Sequence, residues 1–123
     1  MRFVVRVPRA LTALDCNCSI CRMSGFLHLI VPRGDFTLES GESWLITYRF
    51  NTGVAQHRFC GACGVKSFYV PRSNPDGIDV NLRCLDAGQA LDVRIERFDG
   101  EHWELHGGAL AHLSATAGNP SIE

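Results

Sequence analysis

Three thiols in Cys16-Asn17-Cys18-Ser19-Ile20-Cys21 and two in Cys60-Gly61-Ala62-Cys63-Gly64 account for five of the six cysteines in this chain. Two cysteines separated by two residues can aim both sulfurs at one point, because a tight turn lets the backbone curl around an ion. The Cys-x-Cys-x2-Cys run gathers three sulfurs in the same way. Thiolates are soft donors suited to Zn2+ at about 2.3 Å in tetrahedral geometry. A disulfide between Cys16 and Cys18 would strain the normal geometry of that bond. The spacing therefore predicts zinc at Cys16, Cys18 and Cys21, with Cys60 and Cys63 as a second ligand pair. Disulfides and free thiols are the alternatives.

The elements that must hold these thiols read as short strands divided by turns. Phe3 to Val7 is β-branched and stops at Pro8, and Ala10 to Asp15 leads into the first cluster. Leu27 to Val31 leaves that cluster and ends at Pro32-Arg33-Gly34; Phe36 to Glu39 is closed by Ser40-Gly41. Trp44, Ile46, Tyr48 and Phe50 alternate with Leu45, Thr47 and Arg49, the period of a half-buried strand. Asn51-Thr52-Gly53 turns it into Val54 to Phe59, a hairpin whose far end delivers Cys60. Ser67 to Val70, Ile78 to Leu82 and Arg94 to Phe98 are further strands, the last paired with Trp103 to His106. Helix is expected only near Ser19 to Ser24 and at Asp86 to Ala90. Residues 1–106 form one domain, and the small, polar tail of 107–123 is expected to fray.

Composition narrows the function classes. At 123 residues and 46% hydrophobic, the chain can bury one core. Six cysteines fall below the roughly 8% of residues typical of disulfide scaffolds. The N-terminus is interrupted by Arg2, Arg6, Pro8 and Arg9 and is not read as a secretory signal. No apolar run approaches the roughly 20 residues of a membrane span. A net charge of −1 argues against nucleic acid and acidic membrane surfaces. A reducing cytoplasm would keep the thiols available for metal.

Three motifs in order, Cys-x-Cys-Ser-x-Cys-Arg-x-Ser-Gly at Cys16–Gly25, His-x-Phe-Cys-x-x-Cys-Gly at His57–Gly64 and Val-Asn-x-Arg-Cys-Leu-Asp at Val80–Asp86, resemble the glutathione-dependent formaldehyde-activating enzyme (GFA) family, whose domain also occurs in centromere protein V. The likeness runs from about Phe3 to about Trp103. It implies a mainly β, Mss4-like "β-tent" fold with zinc-binding knuckles at strand ends. It also implies two zinc ions: a substrate-site zinc at Cys16, Cys18 and Cys21, and a structural zinc half of whose ligands are Cys60 and Cys63. The other half would be an earlier Cys-x-Cys, which the chain lacks before Arg2-Phe3, so the second zinc is not expected to close. The family segment Cys-Gly-Ala-Val-Arg-Phe would end in Arg2-Phe3, with Met1 in the place of the valine. The resemblance thus implies that Met1 is not the natural beginning of the domain.

The implied activity is that of a carbon–sulfur lyase, with glutathione and formaldehyde giving S-hydroxymethylglutathione. Three protein ligands leave a position open on a four-coordinate zinc, which would lower the pKa of a bound thiol or polarise a carbonyl. Alternatively the fourth ligand comes from His28, His57 or Asp15 and the zinc is structural, in a non-catalytic interaction module. A nucleic-acid zinc knuckle is a third reading, opposed by the charge balance. His57, three residues before Cys60, would lie on the opposite strand face and support or pack. His28, in an apolar strand, reads as a satisfied structural histidine. His102, His106 and His112 show no joint spacing. Cys84 shares its parity with Ile78, Val80 and Leu82 and reads as a small core residue, leaving Asp79, Asn81 and Arg83 to meet a polar ligand. Arg22 and Arg83 are the candidate substrate-binding residues, since a guanidinium pairs bidentately with a carboxylate; each could equally be a solvated charge.

Overall fold

The computed structural model describes residues 1–49, 55–102 and 107–114. Among these, nine strands form three sheets, and one short α-helix spans Ser19–Ser24. β1 (Arg2–Val5) pairs with β4 (Phe36–Ser40), and β5 (Leu45–Tyr48) with β6 (His57–Cys60), both antiparallel. The largest sheet has the order β7-β8-β3-β2-β9, built from β7 (Phe68–Tyr69), β8 (Gly77–Asn81), β3 (Leu27–Pro32), β2 (Ala10–Cys16) and β9 (Asp92–Phe98). All its pairings are antiparallel except β2 with β9, which runs parallel from Ala10↔Asp92 to Cys16↔Phe98. The mainly β architecture expected from the sequence is the one observed.

Alternation along these strands gives the large sheet two different faces. Leu11, Leu29, Val31, Phe68, Val70, Ile78 and Val80 form the core on one of them, with Phe3, Phe36, Leu38 and Leu45 packed against it. Phe36 joins the sheets, its ring centroid 5.4 Å from that of Phe3 and 4.7 Å from that of Phe68. The intervening residues Leu14, Cys16, His28, Ile30, Tyr69, Asp79 and Phe98 lie along a cavity. β3 and β8 are therefore covered on both sides and buried almost throughout, although only β3 reads as an apolar run; β8 alternates Ile78 and Val80 with Asp79 and Asn81.

Trp44, Ile46 and Tyr48 share a face, as their alternation predicts; it is the exposed one, and Leu45 turns inward. Several expectations need correction. β8 ends at Asn81 and a 3-10 turn covers Leu82–Cys84, so strand parity does not carry to Cys84, which is half-buried. The residues from Asp86 to Ala90 form a turn, not a helix. The fraying expected from residue 107 onward does not hold for Gly107–Ser114, a 3-10 helix docked on the domain. There the fully buried Asn74 donates from Nδ2 to the Leu110 carbonyl at 2.8 Å and to Ser114 Oγ at 2.9 Å, while Ser114 Oγ donates to Asp76 Oδ1 at 2.7 Å. The turn at Asn51-Thr52-Gly53, the strand from Trp103 to His106 and residues 115–123 lie outside the described residues.

Candidate metal centre

Cys16 ends β2, and Cys18 is the N-cap of α1 (Ser19–Ser24), whose single turn carries Cys21 back toward the other two. The Arg22 N–H donates to the Cys18 carbonyl at 2.9 Å, and Gly25 ends the helix at a φ of 68°, a left-handed conformation that glycine adopts at little cost. Asn17 staples this loop to the end of β9. Its Nδ2 donates to Asp99 Oδ1 at 3.0 Å, and its Oδ1 accepts from the Glu101 N–H at 3.0 Å. Gly100 then packs so tightly that any Cβ there would overlap the Cys16 sulfur.

The three thiols hydrogen-bond one another. Bonds from Cys16 and then Cys21 hold the Cys18 pKa down to about 2, while bonds from Cys16 and then Cys18 push Cys21 upward. A ring nitrogen of His28 joins two of them: the donor atoms of Cys16, Cys21 and His28 all lie within 4.8 Å of one another. A tetrahedron of 2.3 Å bonds has an edge of roughly 3.8 Å, so small adjustments close this set on an ion.

His28 differs from its sequence reading as a satisfied histidine. Its Nδ1 meets Asp79 Oδ2 at 2.5 Å and Tyr69 Oη at 3.4 Å, but the buried Nε2 has no partner among the described residues. A histidine clamped by a carboxylate through one nitrogen, with the other uncommitted, is the usual arrangement of a metal ligand. The donor set thus fits a soft divalent metal, and Cys16, Cys21 and His28 could hold one. Sequence spacing named His28 only as one of three possible fourth ligands, with His57 and Asp15, because β3 returns it to the cluster through sheet pairing, with Leu14↔His28 the register between β2 and β3.

All three thiols and His28 line one cavity of about 210 Å³. His57 and Tyr69 line it too, their rings stacked at 4.9 Å. Lys66 Nζ sits 2.7 Å from His57 Nδ1 and 4.1 Å from the centroid of the Tyr69 ring. Burial, and then the Lys66 charge, push the His57 pKa down to about 4, so the ring is neutral near pH 7 and accepts from Lys66. Arg72 lines the cavity as well, although no motif or spacing singles it out in the chain. Arg22 and Arg83 are exposed and are not among the lining residues. Asp15 is exposed, and His102 Nδ1 is engaged by Asp99 Oδ2 at 2.8 Å.

The second cysteine pair forms a separate knuckle. The Gly64 N–H donates to the Cys60 carbonyl at 2.7 Å with Gly64 at a φ of 78°, and backbone N–H groups of Cys63 and Ala62 lower the Cys60 pKa. Cys60 is buried and Cys63 exposed. Among the described residues, no third Cys, His, Asp or Glu joins these two at metal-ligand spacing.

A family model described as "Glutathione-dependent formaldehyde-activating enzyme" matches residues 2–101, which include every cysteine named above. The chain belongs to this family. Its fold is also similar to the crystal structure of a Rhodobacter sphaeroides protein from a structural genomics programme. The TM-score is 0.62 and the identity 30%, over 71% of this chain and 81% of the other. Within the GFA match lie the whole cavity face of the large sheet and the Gly100 turn, while the 3-10 helix at Gly107–Ser114 falls beyond it.

Proposed function

We propose that this GFA-family chain is a zinc-dependent enzyme of the carbon–sulfur lyase type, acting on a thiol adduct as in the joining of glutathione to formaldehyde. The observation that carries the reading is that the Cys16, Cys18 and Cys21 thiols all open onto one cavity instead of being sealed in the core. Bound zinc would supply acidification of an incoming thiol. The addition makes a C–S bond between the thiol sulfur and the aldehyde carbon, and the carbonyl oxygen takes a proton. Asp79 orients His28, while Lys66 places a cation near the thiolates and hydrogen-bonds the neutral His57 at the cavity wall. The carboxylates of a glutathione-sized thiol would lie outside the cavity, where the exposed Arg22 and Arg83 are the proposed partners. The reading suits a reducing cytoplasm, where the thiols stay free.

A second reading has its own support. His28 could complete a Cys3His shell with Cys16, Cys18 and Cys21, leaving a non-catalytic zinc module. X-ray absorption of the zinc-loaded protein with and without millimolar glutathione separates the two. Exchange of one ligand for a thiol sulfur, together with hydroxymethyl adduct formed faster than background, supports the enzyme. An unchanged shell of three sulfurs and one nitrogen supports the module.

A further inference from the structure

The cavity beside the cysteines has a composition that bears on which thiol it takes. The wall is mainly apolar, with Leu14, Ile20, Ile30, Pro71, Phe98 and Leu110 among its lining residues. Asp79 and Arg72 are the only Asp, Glu, Lys or Arg among the described lining residues, and Asp79 is 1% exposed and committed to His28. Glutathione brings two carboxylates and an ammonium, and Arg72 could pair with at most one of the carboxylates, so burying all three groups is unfavourable.

We propose that this site selects a thiol adduct whose sulfur-bearing portion is compact, apolar and uncharged, in preference to glutathione. The inference rests on the thiol-adduct reading above and narrows its substrate class. The sulfur reaches the cysteine cluster at one end of the cavity, and the apolar body lies along Ile30, Phe98 and Leu110. A tripeptide thiol inserts only its cysteine arm and leaves the rest in solvent, so it gains little from this wall.

The test uses the full chain loaded with Co2+ in place of zinc, titrated with benzyl mercaptan and with glutathione. The ligand-field spectrum reads thiol coordination, and methyl NMR of Leu14, Ile20, Ile30 and Leu110 reads occupancy of the cavity. We expect benzyl mercaptan to perturb both at a concentration at least tenfold lower than glutathione. Leu110→Phe, which fills part of the space, should weaken benzyl mercaptan by about tenfold and leave the thiol-free cobalt spectrum unchanged. Methyl shifts from benzyl mercaptan without any cobalt response would overturn the thiol-adduct reading while showing an apolar cavity. Glutathione acting at equal or lower concentration, or no methyl shift with benzyl mercaptan, would overturn the substrate class proposed here.

Discussion

His28 and Asp79, diagonal neighbours on the antiparallel strands β3 and β8, meet at 2.5 Å through Nδ1 and Oδ2 with both side chains almost fully buried. The contact fixes the imidazole against the carboxylate and leaves Nε2 as the nitrogen that can serve the cysteine cluster. A carboxylate buried this deeply would be unfavourable without such a partner, so the pair acts as a unit.

Asp79→Asn should keep the ring in place but remove the negative charge behind it. Loss of such a supporting carboxylate typically lowers metal affinity by about 10- to 100-fold. Competition with a chromophoric chelator measures this directly, and an affinity equal to wild type would show that His28 takes no part in metal binding.

Gly100→Ala should damage the same centre from the opposite side, because the added methyl overlaps the Cys16 sulfur and crowds Cys18. Gly108→Ala is the control, since a methyl added there meets nothing within 4 Å. The expected result is lower zinc content and lower melting temperature for the first variant and neither change for the second.

Asn74→Ala should release the 3-10 helix at Gly107–Ser114. It removes a buried amide that donates to the Leu110 carbonyl and Ser114 Oγ. The lost bonds and their stranded partners are expected to cost about 1–3 kcal/mol in urea unfolding. Hydrogen exchange in this segment should rise, and unchanged protection there would contradict the docking role.

His57 gives a pH prediction. Its folded pKa of about 4 lies below the ordinary histidine value of 6.5, so between those values the unfolded chain binds more protons. Stability should therefore fall as pH drops from 6.5 toward 4. His57→Gln should flatten this part of the urea-unfolding profile; an identical slope in the variant would mean that the ring titrates normally in the folded protein.

The two cysteine clusters, the helix over Ser19–Ser24 and the β5–β6 hairpin that carries Cys60 were legible in the sequence because each is local. Turn chemistry, capping and spacing act within a few residues. What could not be read were the contacts made by sheet pairing. His28 joins Cys16 through β2–β3 register, and Asp79 reaches His28 through β3–β8 register. Alternation along β5 correctly separated Trp44, Ile46 and Tyr48 from Leu45, but alternation alone does not say which face is covered. Asn74 carries no pattern that marks it as buried; its role exists only once residues 107–114 return to it.

The parallel pairing of β2 with β9 sets an order of events during synthesis. Cys16, Cys18, Cys21 and His28 emerge early and close together, whereas Asp99, which Asn17 must meet, lies 82 residues further along. Closing so long a loop is slow and entropically unfavourable compared with the local turn at α1. The ribosome must therefore release most of the domain before Gly100 can seat against Cys16. Until then the Cys16 sulfur lacks the close cover that Gly100 gives it. β9, made last of the nine described strands, is thus the one that completes the strand-built part of the thiol cavity's wall.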